Sequence, residues 1–121
     1  MAQKLFALAS VLAFLAIAFG AFGAHGLKNK IEPNMLAVFE VGVRYHFYHA
    51  IAIFIVALAV QNWSISPLPA YLFFAGIIIF SGSLYLLALT NIKWLGAITP
   101  IGGVLFLLGW GLLAFYTFKK L

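Results

Sequence analysis

Four long apolar runs, separated by short polar breaks, take up nearly the whole chain: residues 5–24, 35–60, 68–89 and 94–118. Each is long enough to cross roughly 30 Å of hydrocarbon at about 1.5 Å per residue. None alternates polar and apolar positions as barrel strands do. Lipid offers backbone amides no partner, so the runs are predicted to be helices. The breaks at 25–34, 61–67 and 90–93 are short, which makes consecutive spans antiparallel neighbours. The chain is therefore read as one membrane domain, residues 1–121. Its fold class is an all-α integral membrane protein, an antiparallel bundle of four transmembrane helices. The first run follows a basic start and ends in small residues at 20–24, as signal peptides do. At about 20 residues it is long for a signal and right for a span, so it is predicted to be retained as the first helix.

Composition agrees with the pattern. Of 121 residues, 66% are hydrophobic and 7% charged, far outside the range of soluble domains. A water-soluble chain of this size could not hide so much apolar surface. The net charge of +5 comes from basic residues mostly at segment ends, which is membrane flanking. With no clustered basic face, nucleic acid is not an expected partner. The absence of cysteine excludes disulfides, thiolate metal sites and cysteine catalysis. Lys4, Lys119 and Lys120 lie on one side, and Lys28, Lys30 and Lys93 on the other. The bias that sets topology is thus close to balanced, and the compact terminal clusters favour cytoplasmic termini.

Small residues at Ala9, Ala13, Ala16, Gly20 and Gly23 form one stripe along the first helix. Gly102 and Gly109 repeat the device in the fourth, Gly76 and Ser83 in the third. Such stripes let membrane helices approach closely. They are read as packing grooves, with membrane lipids and a homo-oligomer through these faces as expected partners.

The second run breaks the apolar pattern. Between Phe39 and His49 it holds Glu40, Arg44, Tyr45, His46, Tyr48 and His49. Ionisable groups inside a span are expensive and mark interiors, cavities or sites. Antiparallel threading places these residues in the same membrane half as His25, Ser81, Ser83, Tyr85 and Thr99. Glu40, Arg44 and Tyr48 are successive i,i+4 neighbours, suited to a carboxylate–guanidinium contact with a phenol beyond it. Two readings of the charges stay open: a lock that keeps both ions satisfied, or an Arg44 anchor for phosphate or carboxylate. The expected ligand-binding set is Glu40, Arg44, Tyr45, Tyr48, His49, Ser81, Ser83 and Thr99. Thr99 is also placed to cap the helix that Pro100 begins. A metal held by His25, His46 and His49 is the sharper alternative for the histidines, disfavoured by the lack of cysteine and the scarcity of acids. The two deep histidines share a helix and cannot sandwich a haem iron, so no cofactor is expected. Ser81 or Ser83 with His49 is only part of a nucleophile–base pair. Glu40 suits Arg44 better, and no complete catalytic set can be named. The chain is therefore read as a non-enzyme.

Four motifs occur in order: GAFGAHGL at 20–27, Phe39-Glu40 through Arg44-Tyr45 to Tyr48-His49-Ala50, FSGSLY at 80–85, and Gly96 with Thr99-Pro100 and Gly102-Gly103. Together they resemble the bacterial membrane family called domain of unknown function 423, related to the animal transmembrane protein 256. The resemblance implies a four-helix, multi-pass protein of the cytoplasmic (inner) membrane. It implies no activity, substrate or cofactor. The functional expectation is a polar intramembrane cluster of Glu40, Arg44, His46, His49, Ser81 and Ser83 that binds a lipid headgroup, a small anion or a partner helix. An oligomeric transporter or channel is the alternative.

Overall fold

A computed structural model describes residues 1–121. Four helices are long and apolar enough to cross a membrane: α1 (Ala2–Leu27), α2 (Pro33–Trp63), α3 (Leu68–Thr90) and α4 (Lys93–Phe118). No strand is present. α2 and α3 form the centre of the bundle. α1 packs on α2, and α4 packs on α3.

The helix ends follow from local chemistry. Pro33 opens α2 and Pro69 lies in the first turn of α3, where a missing N–H costs nothing. α2 ends on Ser64 and α3 on Asn91, both left-handed with φ near 53° and 59°. Their amides return to the carbonyls of Val60 and Leu87, closing orphan acceptors in the way such caps do. α4 begins with a 3-10 turn at Lys93–Ala97 before Thr99. Thr99 does not cap it. The hydroxyl turns instead toward α3 (below).

Lipid is as apolar as leucine, so helix contact rests on close packing and interhelical hydrogen bonds. The small-residue stripes supply that packing from within the chain. Ala9 and Ala16 are fully buried. A Cβ on Gly23 would lie 2.9 Å from the Phe39 ring, and one on Gly20 3.2 Å from Val43. Between α3 and α4 the fit is tighter still. A Cβ on Gly109 would lie 2.5 Å from Phe73, and one on Gly76 2.5 Å from Phe106. At these positions the stripes are packed against the chain's own side chains.

Two π-helical turns interrupt the spans, at Phe22–Leu27 and Ile77–Ser81. Such turns insert an extra residue and re-phase a helix, frequently near functional sites. The second lies at the centre of α3 and turns both Ser81 and Ser83 inward, where each is buried.

Candidate functional site

The polar residues of α2 divide between two faces. Gly42, His46 and His49 are buried; Glu40, Arg44, Tyr45 and Tyr48 are exposed. The single cluster expected from threading is thus an interior network and a separate outward face. Helical phase is the cause: residues 42, 46 and 49 fall on the side toward α3, and 40, 44 and 48 on the side away from it.

The interior network can be assigned by counting donors. Ser81 Oγ donates to the Gly42 carbonyl at 2.7 Å, where α3 comes close to the bare backbone of α2. A Cβ there would lie 2.9 Å from Tyr85. Ser83 Oγ donates to the Phe80 carbonyl at 2.9 Å. Its single proton is therefore used, and Thr99 is the donor in the 2.6 Å contact between Thr99 Oγ1 and Ser83 Oγ. Trp110 Nε1, which only donates, reaches His49 Nε2 at 3.1 Å. His49 accepts on Nε2, so it carries its proton on Nδ1, which donates to the Tyr45 carbonyl at 2.8 Å. The ring stacks on Phe106 at 3.6 Å between centroids. His46 Nδ1 lies 2.8 Å from the Tyr85 hydroxyl. Which of the two atoms gives the proton follows the tautomer of His46. His46 Nε2 is buried and without a hydrogen-bond partner.

These bonds join α2 to α3, α3 to α4, and α4 back to α2. Each is modest: interhelical hydrogen bonds in membrane proteins average about 0.6 kcal/mol. Replacing Thr99 with the near-isosteric valine is expected to destabilise the bundle by about that amount, read by unfolding of the detergent-solubilised protein, with the fold unchanged.

The three histidines do not converge. His25 is exposed at the end of α1, both nitrogens of His49 are engaged, and no group of three metal-ligating side chains exists. The metal alternative has no three-ligand group to rest on, since His25 is exposed in the last turn of α1 while His46 and His49 are buried. Ser81, Ser83 and Thr99 are likewise committed to helix contacts and do not meet Arg44.

The outward face is different in kind. Glu40 and Arg44 are exposed, and no ion pair within 4.0 Å forms. The intrahelical contact expected of them is absent. Both heads stay free at the surface. Arg44 lines a groove of about 400 Å³ between α1 and α2, with Ala16, Ile17, Gly20, Val43, Phe47 and Tyr48 as its main walls. Small residues on α1 make the floor shallow enough to admit a chain. The groove residues of α1 were not expected at a site. Their signal was the same small-residue stripe that packs the helix, whose edge at Gly20 is only half-buried. A larger groove of about 630 Å³ lies between α2 and α4 at the opposite membrane face. Its polar side chains Asn62 and Thr117 bond to carbonyls of their own helices, so it offers no convergent polar group.

Four crossing helices, a hydrogen-bonded polar interior and a charged outward groove define a small multi-pass membrane protein. The chain belongs to the family described as protein of unknown function DUF423, which matches residues 19–103. It is 52% identical over 119 residues to the UPF0382 membrane protein SAB0533 of Staphylococcus aureus (strain bovine RF122 / ET3-1), covering 97% of this chain and 98% of the relative. It is 49% identical over 106 residues to the UPF0382 membrane protein YwdK of Bacillus subtilis (strain 168), covering 85% and 86%. No solved structure matches. The family is uncharacterised, and neither its description nor these names point to an enzymatic activity.

Proposed function

We propose that the chain is a non-enzymatic, phospholipid-binding protein of the bacterial cytoplasmic membrane, acting as a single membrane unit. Arg44 holds the lipid phosphate and the α1–α2 groove holds an acyl chain. One observation carries this reading. The chain's only arginine is exposed on an apolar groove inside a span, with no acid paired to it. An unpaired guanidinium in hydrocarbon is costly, and phosphate is the ligand that its planar fork matches best. The depth is suitable. α2 has 31 residues and is about 46 Å long, so it exceeds the hydrocarbon by about 16 Å. With that surplus shared evenly, Glu40 lies near the headgroup boundary and Arg44 one turn below it, within snorkelling reach. The transporter alternative has less support, since the interior polar groups are spent on helix contacts.

Native mass spectrometry after gentle extraction tests the proposal. The wild type is expected to retain a phospholipid that Arg44→Ala loses. A charge-assisted contact is worth about 1.5–3 kcal/mol, so retention should fall roughly 10- to 100-fold. Because Arg44 is exposed, the variant should keep the fold, which circular dichroism checks. Inorganic phosphate at millimolar concentration separates a free anion from a lipid: displacement of the lipid by phosphate alone would point to the anion. Equal lipid retention by both proteins would overturn the reading.

A further inference from the structure

Glu40 lies one turn closer to the loop between α1 and α2 than Arg44, on the same outward face. An i,i+4 Glu–Arg pair normally closes on itself, yet here no contact within 4.0 Å forms. The carboxylate therefore has no cation of its own. From the membrane surface inward, the face presents Glu40, then Arg44, then the groove walls Ala16, Ile17, Phe47 and Tyr48. A zwitterionic phospholipid presents its groups in the matching order: ammonium outermost, phosphate next, acyl chain deepest. We infer that this groove selects an aminophospholipid of the ethanolamine type, with its ammonium on Glu40 and its phosphate on Arg44. The inference rests on the lipid reading above and names the headgroup for it.

Charge complementarity decides between headgroups. A lipid whose headgroup carries only the phosphate charge satisfies Arg44 but leaves Glu40 as an unpaired carboxylate beside a second anion. Like charges at such a distance repel, the more so as water is removed. A choline headgroup has the right charges but no N–H to donate. Quaternary ammonium groups are held by aromatic cages, and the neighbours of Glu40 on this face, Ala37 and Val43, are aliphatic. Tyr48 lies two turns deeper than Glu40, past Arg44. A primary ammonium offers three donors to a carboxylate, and charge-assisted bonds of that kind are the strong ones.

The test uses the full chain and an equimolar mixture of phosphatidylethanolamine, phosphatidylglycerol and phosphatidylcholine with identical acyl chains, read by native mass spectrometry. The wild type is expected to retain phosphatidylethanolamine at least about tenfold over the other two. Glu40→Gln keeps the side-chain shape on an exposed face. It should still bind lipid, but lose that preference or turn it toward phosphatidylglycerol, while Glu40→Asp should keep it. An unchanged preference in Glu40→Gln, or a wild-type preference for phosphatidylglycerol or phosphatidylcholine, would overturn the headgroup inference and leave lipid binding standing. Full retention by Arg44→Ala would instead overturn the lipid reading itself. A lipid-free dimer that Glu40→Gln and Arg44→Ala each dissociate would replace both with a second copy of the chain on this face.

Discussion

Gly102→Ala is expected to destabilise the protein by about 3 kcal/mol. The added methyl has nowhere to go. It would overlap the Phe80 backbone nitrogen and lie 2.6 Å from Phe80 Cβ and 2.7 Å from its Cα. A side-chain tip can rotate away from such a contact. A main chain cannot, least of all one inside the π-helical turn of α3. To admit the methyl, α4 must slide from α3. That motion also opens the neighbouring contacts of Gly76 with Phe106 and of Gly109 with Phe73, because all three glycines serve the same seam. It would draw Thr99 away from Ser83 as well. Gly111→Ala is the internal control: nothing lies within 4 Å of a Cβ there, so stability should be unchanged or slightly raised by better helix propensity. Unfolding in mixed micelles, followed by far-ultraviolet circular dichroism, reads both. Equal stabilities for the two variants would show that the seam is looser than its geometry.

The four spans were legible because apolar runs in a membrane protein have one structural use. Their length, the short breaks between them and the shortage of charge point to the same bundle. The close seams were legible too, from small residues spaced at helical intervals. What was hidden was the rotation of α2. Polar side chains occur on every side of residues 40–49, so polarity gave no direction. In water the charged side would face out by default. In lipid that rule has no force, and threading alone suggested that Glu40 and Arg44 would join Ser81, Ser83 and Thr99 inside. The feature that decides the rotation is Gly42. It lets α3 approach α2, and its i+4 and i+7 neighbours are His46 and His49, the residues that turn inward. The charge pair then faces out by elimination. Glycine register, more than charge, was the signal to follow.

The same lesson limits what the serines can be. Ser83 with Thr99 and Ser81 with the Gly42 carbonyl are interhelical bonds of small size, but they fix the phase of three helices at once. That phase is what leaves Arg44 on a groove. The candidate site is therefore a by-product of how the interior satisfies its hydrogen bonds, and the two faces of α2 are mechanically linked even though they share no contact.

His49→Ala is expected to cost about 3 kcal/mol, and His49→Phe about 1 kcal/mol. His49 is 5% exposed and does three things. Its ring fills the space between Phe73 and Phe106, stacked on the latter. Its Nε2 accepts the Trp110 indole proton, and its Nδ1–H donates to the Tyr45 carbonyl. Alanine removes all three, leaving a void that lipid cannot enter and an indole N–H with no acceptor. The transfer part of the usual large-to-small penalty shrinks here, because the unfolded helix in a membrane is already surrounded by hydrocarbon. The loss of packing contacts remains, together with the unmet donor at about 1–3 kcal/mol. Phenylalanine restores the volume and the stack but neither ring nitrogen, so the difference between the two variants measures packing and the residual cost of phenylalanine measures the two hydrogen bonds together. Stability in detergent gives both numbers, and Trp110 emission reports the freed indole in each. If phenylalanine proved as harmful as alanine, the hydrogen bonds would dominate and the Phe106 stack would contribute little. The expected order, wild type above phenylalanine above alanine, follows from a membrane interior in which contact between close-packed rings is worth more than one bond between weakly polar nitrogens.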